Sequence, residues 1–202
     1  FNGSDTYIQM TSSGGNRRTW TVSFWAKFCD SSATIDQRLW SCDGNSGNYD
    51  MLKIEFYGGT DSARRIAIID QNHASSGIRF TLNRKFRDSS AWYHFVFAQD
   101  STQSTASERM KIYVNGVRET EFLDNSTHNH PPDQNYQGNV NATGKTNTWG
   151  RSFAFGSGTG NYLDGYLADI NFIDGAQLDP TYFGYTEFQT KAWRPKKFDK
   201  SD

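Results

Sequence analysis

Short stretches of alternating apolar and polar residues limit the fold of this chain more than any other feature. The segments 20–28 (WTVSFWAKF), 51–57 (MLKIEFY), 77–82 (GIRFTL) and 109–115 (RMKIYVN) each carry apolar side chains at every second position. A period of two places those side chains on one face of a β-strand and the polar ones on the other. Because a period of 3.6 is almost absent, the sequence predicts an all-β fold whose sheets have one face toward solvent.

Turn residues divide the chain into about eleven such segments. The predicted strands are 6–10, 20–28, 37–42, 51–57, 64–70, 77–82, 91–99, 109–115, 117–122, 152–155 and 161–173. The sharpest hairpin signal is Asn115-Gly116, since both residues tolerate a positive φ. So many short antiparallel strands predict a two-sheet sandwich.

Two segments depart from the strand pattern. One short helical turn is expected at 179–184, where Asp179 can cap and Pro180 suits the first helical position. The stretch 124–150 is long and polar, which predicts a functional or mobile loop.

Composition excludes several classes of protein. Aromatic residues make up 15% of the 202 residues, and the formal net charge is −1. No apolar run approaches the roughly 18 residues of a membrane span, so no membrane insertion is expected. A near-zero net charge gives no reason to expect nucleic acid as a partner.

The two cysteines are expected to remain reduced. Cys29 and Cys42 fall at distant points of the hairpin predicted from segments 20–28 and 37–42. Their separation there would exceed the roughly 7 Å that a disulfide can bridge.

Six short segments occur in a recognisable order. They are 7–10 (YIQM), 20–25 (WTVSFW), 92–96 (WYHFV), 111–116 (KIYVNG), 153–156 (FAFG) and 164–170 (DGYLADI). This order resembles the concanavalin A-like, laminin-G-like (LamG-like) jelly-roll family. The family often has an acidic pair in the last piece, where this chain has Ala168 and Asp169. The resemblance implies a jelly-roll domain over residues 1–184 and a basic extension, 185–202, leading to a following domain.

The end of the chain adds two further pieces, 172–184 and Trp193-Arg194-Pro195-Lys196. They resemble the corresponding parts of domains in marine bacteriophage structural proteins, such as tail or fibre components. This resemblance implies a non-catalytic module at a virion surface or outside the cell. It would bind host-surface glycan or neighbouring virion proteins, and self-association through the parent protein stays open. We also expect the tail to lie along the sandwich, anchored by Trp193.

A glycan-active hydrolase or lyase on the same fold is the alternative function. Related glucanases carry a Glu-x-Asp-x-Glu strand, and none of the five Glu residues of this chain lies in such a motif. The nearest approach is Glu119 and Glu121, roughly 6–7 Å apart if both lie on one strand. We interpret the pair as a solvated hairpin edge and His94 as a packed, hydrogen-bonded strand residue.

Three aromatic residues are candidates for glycan contact. Trp25, Tyr57 and Tyr113 fall on the predicted polar faces of their strands, among hydroxyl, amide and charged neighbours. An aromatic ring on a solvated face is informative because such rings are usually buried. The competing interpretation is that the 124–150 loop or another subunit covers this face.

No cofactor is required by these patterns, but a calcium ion is one candidate. Asp43, Asn45 and Asp50 offer clustered oxygen ligands of the kind that Ca²⁺ prefers. The same residues are ordinary turn formers. A metal at the His128-x-His130 pair is less favoured, because that pair lies in a polar loop.

Overall fold

The computed structural model describes residues 1–29, 36–43, 51–57, 64–72, 75–123, 129–151 and 161–199 of the chain. Within these ranges the chain forms fourteen strands, two 3₁₀ turns and no α-helix. The strands are β1 (Ile8–Thr11), β2 (Thr19–Phe28), β3 (Gln37–Asp43), β4 (Met51–Phe56), β5 (Ile66–Asn72), β6 (Ser75–Thr81), β7 (Tyr93–Asp100), β8 (Met110–Val114), β9 (Val117–Arg118), β10 (Asn129–His130), β11 (Thr146–Trp149), β12 (Gly165–Asp174), β13 (Gly184–Thr186) and β14 (Trp193–Pro195).

Two antiparallel sheets form the sandwich, as predicted from the alternation. The seven-stranded sheet has the order β1-β11-β3-β4-β5-β6-β10, and the five-stranded sheet has the order β12-β2-β7-β8-β9. Strands β13 and β14 pair in a separate two-stranded sheet. Strand β2 therefore lies inside its sheet, with β12 on one side and β7 on the other.

Aromatic rings from both sheets fill the space between them. Alternate residues of β2 point inward, and among them Trp20 and Phe28 are almost completely buried. Phe28 stacks on Phe56 of the facing sheet with ring centroids 4.3 Å apart, and Trp20 meets Trp40 edge-on at 6.1 Å. Burial of each such side chain contributes roughly 1.5–3 kcal/mol, so the core holds the two sheets together.

Local turn chemistry agrees with the sequence in two places. Asn115 and Gly116 have φ angles of 49° and 80°, which confirms the tight hairpin between β8 and β9. The helical turn predicted at 179–184 is a 3₁₀ turn at Pro180–Tyr182. The Asp179 carboxylate caps it by accepting a 2.8 Å hydrogen bond from the Thr181 amide.

Two predictions about the second half of the chain are wrong. The stretch 124–150 is not one long loop, because β11 lies between β1 and β3 in the seven-stranded sheet. Its sequence, TNTW, lacks the apolar pattern of a strand, and neighbouring strands impose its extended conformation. The strand predicted at 117–122 ends at Arg118, and the strand predicted at 152–155 lies outside the described residues.

Residues 175–198 lie across the outer face of the five-stranded sheet, and we call them the C-terminal cover. The Thr21 hydroxyl in β2 donates to the Ala176 carbonyl at 2.8 Å and accepts from the Leu178 amide at 2.9 Å. Further along the cover, Phe183 is buried against Val96 and Ala98 of β7. The face that the sequence predicted to be solvated is therefore a second, smaller core.

A chain of hydrogen bonds fixes the cover at its centre. The Trp193 indole N–H donates to His94 Nδ1 at 2.9 Å, so Nδ1 carries no proton. The proton is then on Nε2, which lies 2.9 Å from the Ser23 hydroxyl. Burial lowers the pKa of His94 to about 4 and keeps the ring neutral. The expected packing of His94 and the anchoring role of Trp193 are both confirmed.

A buried carboxylate fixes the loop that precedes β11. Asp70, at the end of β5, is completely buried and accepts from the Asn139 side-chain amide at 2.6 Å and backbone amide at 3.2 Å. Burial raises the pKa of Asp70 to about 6. Cys42 lies beside this loop, with Sγ 3.2 Å from the Asn139 carbonyl oxygen, and both Cys42 and Cys29 are free thiols, as predicted.

The contact between Trp193 and the β8–β9 hairpin can be tested with a matched pair of glycines. Gly116 and Gly144 share a φ near +80°, but a Cβ on Gly116 would lie 2.6 Å from the Trp193 ring, whereas Gly144 has nothing within 4 Å. Gly144→Ala should cost about 1 kcal/mol of unfolding free energy through strain alone. Gly116→Ala should cost roughly 2 kcal/mol more, because the ring must move. Equal losses in urea unfolding would show that Trp193 does not pack on the hairpin.

The free energy of unfolding should depend on pH through His94. Its folded pKa is about 4 and its ordinary value is 6.5, so the unfolded chain binds a proton in this interval and the folded chain does not. Stability is therefore lost as pH falls from about 6.5 to about 4, by roughly 3 kcal/mol for this residue.

Asp70 should act in the opposite direction. Its folded pKa, about 6, lies above the ordinary 3.8, so its contribution is full below pH 3.8 and is lost as pH rises through about 6. Urea titrations between pH 4 and 7 should show His94→Gln losing less stability in acid than the wild type, and Asp70→Asn losing more. Parallel profiles for all three proteins would contradict both assignments.

Candidate functional site

Two of the predicted glycan-binding aromatics lie under the C-terminal cover. Trp25 is only 9% exposed and stacks on His94 with ring centroids 5.0 Å apart. Tyr113 is half-buried and packs with Phe183 in the smaller core. The expectation that Trp25 faces solvent is wrong, because the cover provides partners for the outer side chains of β2 and β7. Glycan contact at Trp25 and Tyr113 stays a prediction.

The third predicted aromatic, Tyr57, lies on the other sheet. It follows β4 and is half-buried. The outward side chains of β4 form a buried ionic cluster: Glu55 is fully buried, contacts Arg38, and lies 3.2 Å from the Lys53 ammonium. Burial lowers the pKa of Lys53 to about 7. The structure therefore does not bring Tyr57 together with Trp25 and Tyr113.

The calcium candidates cannot be placed. Asn45 and Asp50 lie outside the described residues, and of Asp43 only the backbone, in β3, is described. In the part of the chain that the structure describes, no three His, Cys, Asp or Glu side chains are grouped to hold a metal ion. A calcium ion at this loop stays a prediction.

Two large aromatic side chains remain exposed at one end of the outer face of the five-stranded sheet. Trp92, just before β7, is 41% exposed, and Tyr166 in β12 is 56% exposed. Tyr166 lies opposite Lys27 in the pairing of β12 with β2. The pairing of β2 with β7 ends at Ala26 and Tyr93, and one further residue along each strand places Trp92 on the other side of Lys27. The two rings lean toward each other, with centroids 6.2 Å apart and planes at 54°.

Charged groups complement these rings. Lys27 lies between them and is half-buried. Asp88, in the turn that leads to Trp92, accepts hydrogen bonds from the Ser90 amide at 2.8 Å and the Ser90 hydroxyl at 2.6 Å. These bonds, with a smaller contribution from the Lys27 charge, lower the pKa of Asp88 and keep it ionised. We call Trp92, Lys27, Tyr166 and Asp88 the Trp92–Tyr166 surface.

This surface combines three chemical capacities. The rings offer apolar faces, the Lys27 ammonium is a hydrogen-bond donor, and the Asp88 carboxylate is an acceptor. A sugar ring, with an apolar C–H face and a rim of hydroxyls, matches all three. The sequence does carry a signal for this site, because Trp92 shares the outward phase of His94 in the segment 91–99.

A cleft opens at the other end of β12, where the edge strands β1 and β12 leave the sandwich uncovered. Its volume is about 330 Å³, and it is lined by residues 10–14, Trp40, Asn141, Asn147, Trp149 and Phe172. The sequence analysis missed this cleft, because Asn147 and Trp149 belong to β11, which was predicted as loop.

The comparisons with known proteins identify the family. The family model described as the concanavalin A-like lectin/glucanases superfamily matches residues 2–179. The chain belongs to this superfamily. From Pro180 onward the C-terminal cover lies beyond the matched residues. No curated protein matches the chain significantly.

Solved structures of the superfamily fold share little sequence with the chain. Domain 4 of the extracellular GH43 arabinanase AbnA from Geobacillus stearothermophilus, in complex with arabinotriose, is 15% identical (TM-score 0.55; 88% of this chain and 70% of that one). The heptameric SAP-like pentraxin from Limulus polyphemus is 18% identical (0.52; 85% and 73%). Domains LG4-5 of the mouse laminin alpha1 chain are 11% identical (0.54; 98% and 43%). At these identities the likeness concerns the fold alone.

The superfamily includes both lectins and glucanases. A glucanase needs two carboxylates placed on either side of the scissile bond, so the positions of Glu119 and Glu121 bear on the choice between the two. Glu119 and Glu121 follow β9 in a loop, not on one strand as predicted, and line a cavity of about 300 Å³ with Arg84. Burial, and to a lesser degree the Glu121 charge, raise the pKa of Glu119, while Arg84 Nε lies 3.2 Å from Glu119 Oε1. Arg84 therefore occupies one oxygen of the more buried carboxylate.

No helix long and apolar enough to cross a bilayer occurs among the described residues.

Proposed function

We propose that this superfamily member is a non-catalytic glycan-binding module, and that the Trp92–Tyr166 surface is its binding site. The observation that carries the proposal is the exposure of two large aromatic rings, 41% and 56%, on either side of Lys27. Most aromatic rings of the described chain are buried or half-buried, so an exposed pair in mutual contact with polar partners calls for a ligand.

Stacking supplies the affinity at such a surface. A sugar ring lying on Trp92 or Tyr166 removes apolar surface from water on both partners, at about 25 cal/mol per Å². Lys27 and Asp88 then select hydroxyl positions by donating and accepting hydrogen bonds. The surface is shallow, so single-site affinity is weak, and repetition in a larger assembly raises it by avidity.

The setting expected from the sequence is part of this proposal. A module of a virion appendage, presented in many copies at the virion surface or outside the cell, would gain avidity in this way. Neighbouring virion proteins are the alternative partners. The arabinotriose complex of the arabinanase domain supports the class of ligand, since that domain shares the fold.

Truncating the rings should separate binding from folding. Once a glycan array has identified a ligand, Trp92→Ala should weaken its binding about tenfold or more, and Tyr166→Ala several-fold, as measured by titration calorimetry. Tyr185→Ala and Phe188→Ala, which remove rings that are 52% and 85% exposed elsewhere, are the matched controls and should bind normally. All four variants should keep the wild-type melting temperature within a few degrees.

Two results would overturn the proposal. If Trp92→Ala binds the array ligand as tightly as the controls do, the site is elsewhere. If the unmodified protein releases reducing sugar from that ligand, the module is a hydrolase, and Glu119→Gln should then abolish the release.

A further inference from the structure

The cleft at the open edge of the sandwich has an aromatic floor. Trp40 and Trp149 stack with ring centroids 5.6 Å apart and planes at 19°, and Phe172 leans on Trp40 at 6.0 Å. Phe172 is 39% exposed and Met10 is 65% exposed, although both point inward by strand phase. A ligand that fills this space gains free energy only if part of it is apolar.

An amide group stands beside this floor. Asn147 lies opposite Met10 in the β1–β11 register and therefore shares its face. The Asn147 carboxamide makes no hydrogen bond to any described residue, so its N–H groups and its oxygen are available to a ligand. A partner with an amide carbonyl facing Nδ2 and a hydroxyl facing Oδ1 satisfies both.

The remaining lining restricts the charge and size of the ligand. The described residues around the cleft include Thr11, Ser12 and Ser13 and carry no ionisable side chain. An ionic ligand would therefore be desolvated without compensation. A volume of about 330 Å³ lies at the small end of ordinary ligand sites, which suits one sugar residue and not a chain.

We infer that the cleft binds a single N-acetylated sugar residue. The acetyl methyl group packs on Phe172 and Met10, and the acetamido carbonyl accepts from Asn147 Nδ2. Because the amide is trans, its N–H points away from Asn147, and a neighbouring sugar hydroxyl donates to Asn147 Oδ1. Hydroxyls of the sugar meet polar groups of Ser12 and Ser13, which follow β1. The choice of a saccharide rests on the proposed function, whereas the N-acetyl group is inferred from the residues that line the cleft.

The cleft and the Trp92–Tyr166 surface are separate sites on one strand. Tyr166 and Phe172 lie opposite Lys27 and Val22 of β2, because β12 bulges between them, and five strand positions correspond to about 17 Å. They point to opposite faces of the five-stranded sheet. A branched or long glycan that carries an N-acetylated residue therefore engages the two sites independently.

A pair of probes that differ only in the acetamido group tests the inference. Methyl N-acetyl-β-glucosaminide should bind about tenfold more tightly than methyl β-glucoside in NMR titrations, with the strongest saturation transfer at the acetyl methyl. Asn147→Asp, which keeps the shape and removes the donor, should abolish this preference. Phe172→Ala should weaken the acetylated probe about tenfold. Trp92→Ala is the matched control and should leave the preference unchanged.

The outcomes separate this inference from the proposed function. Equal affinity for the two probes, or a preference that survives Asn147→Asp in a folded protein, overturns the N-acetyl assignment. If the array ligand still depends on Trp92 in that case, the proposed function stands and the cleft assignment alone fails. If the preference is intact and the array ligand is insensitive to Trp92→Ala, the cleft assignment stands and the proposed surface fails.

Discussion

The burial of β2 on both of its faces is the constraint on which the rest of the structure depends. From Trp20 to Ala26 no residue of this strand is more than 9% exposed. Its inner side chains are aromatic or aliphatic and need only apolar partners. Its outer side chains include Thr21 and Ser23, which need hydrogen bonds when they are buried. The C-terminal cover and His94 supply those bonds, so the cover is part of the fold.

This constraint decides which aromatic rings of the outer face stay exposed to solvent. Because the cover lies over Trp25 and Tyr113, the middle of the outer face is a second core. At the end of the same face Tyr166 and Trp92 remain exposed and flank Lys27. The family model ends at residue 179, so most of the cover lies beyond the matched residues, and the outer face is closed by residues outside the match.

Charge is arranged differently in the two candidate sites. The Trp92–Tyr166 surface places an ammonium and a carboxylate beside its rings, whereas the edge cleft has only neutral polar groups beside its own. A third arrangement is the buried Glu55 cluster of the seven-stranded sheet, in which Glu55 contacts Arg38 and Lys53. The two proposals use this difference: sugar hydroxyls meet the charged groups of the Trp92–Tyr166 surface, and an N-acetyl group meets the neutral cleft.

The amino-acid pattern by itself determined the fold class, most of the central strands, the Asn115-Gly116 hairpin and the capped turn after Asp179. Alternation, turn residues and caps are local properties, and a strand's inward phase follows from them. Only the tertiary structure decided which outward faces reach solvent, since exposure depends on residues far away in sequence. Trp25 stacks on His94, and His94 is bonded to Trp193, which is 99 positions further along the chain. The polar segment TNTW became β11 for the same reason: its partners, β1 and β3, lie more than a hundred residues earlier, and their pairing overrides a weak local preference.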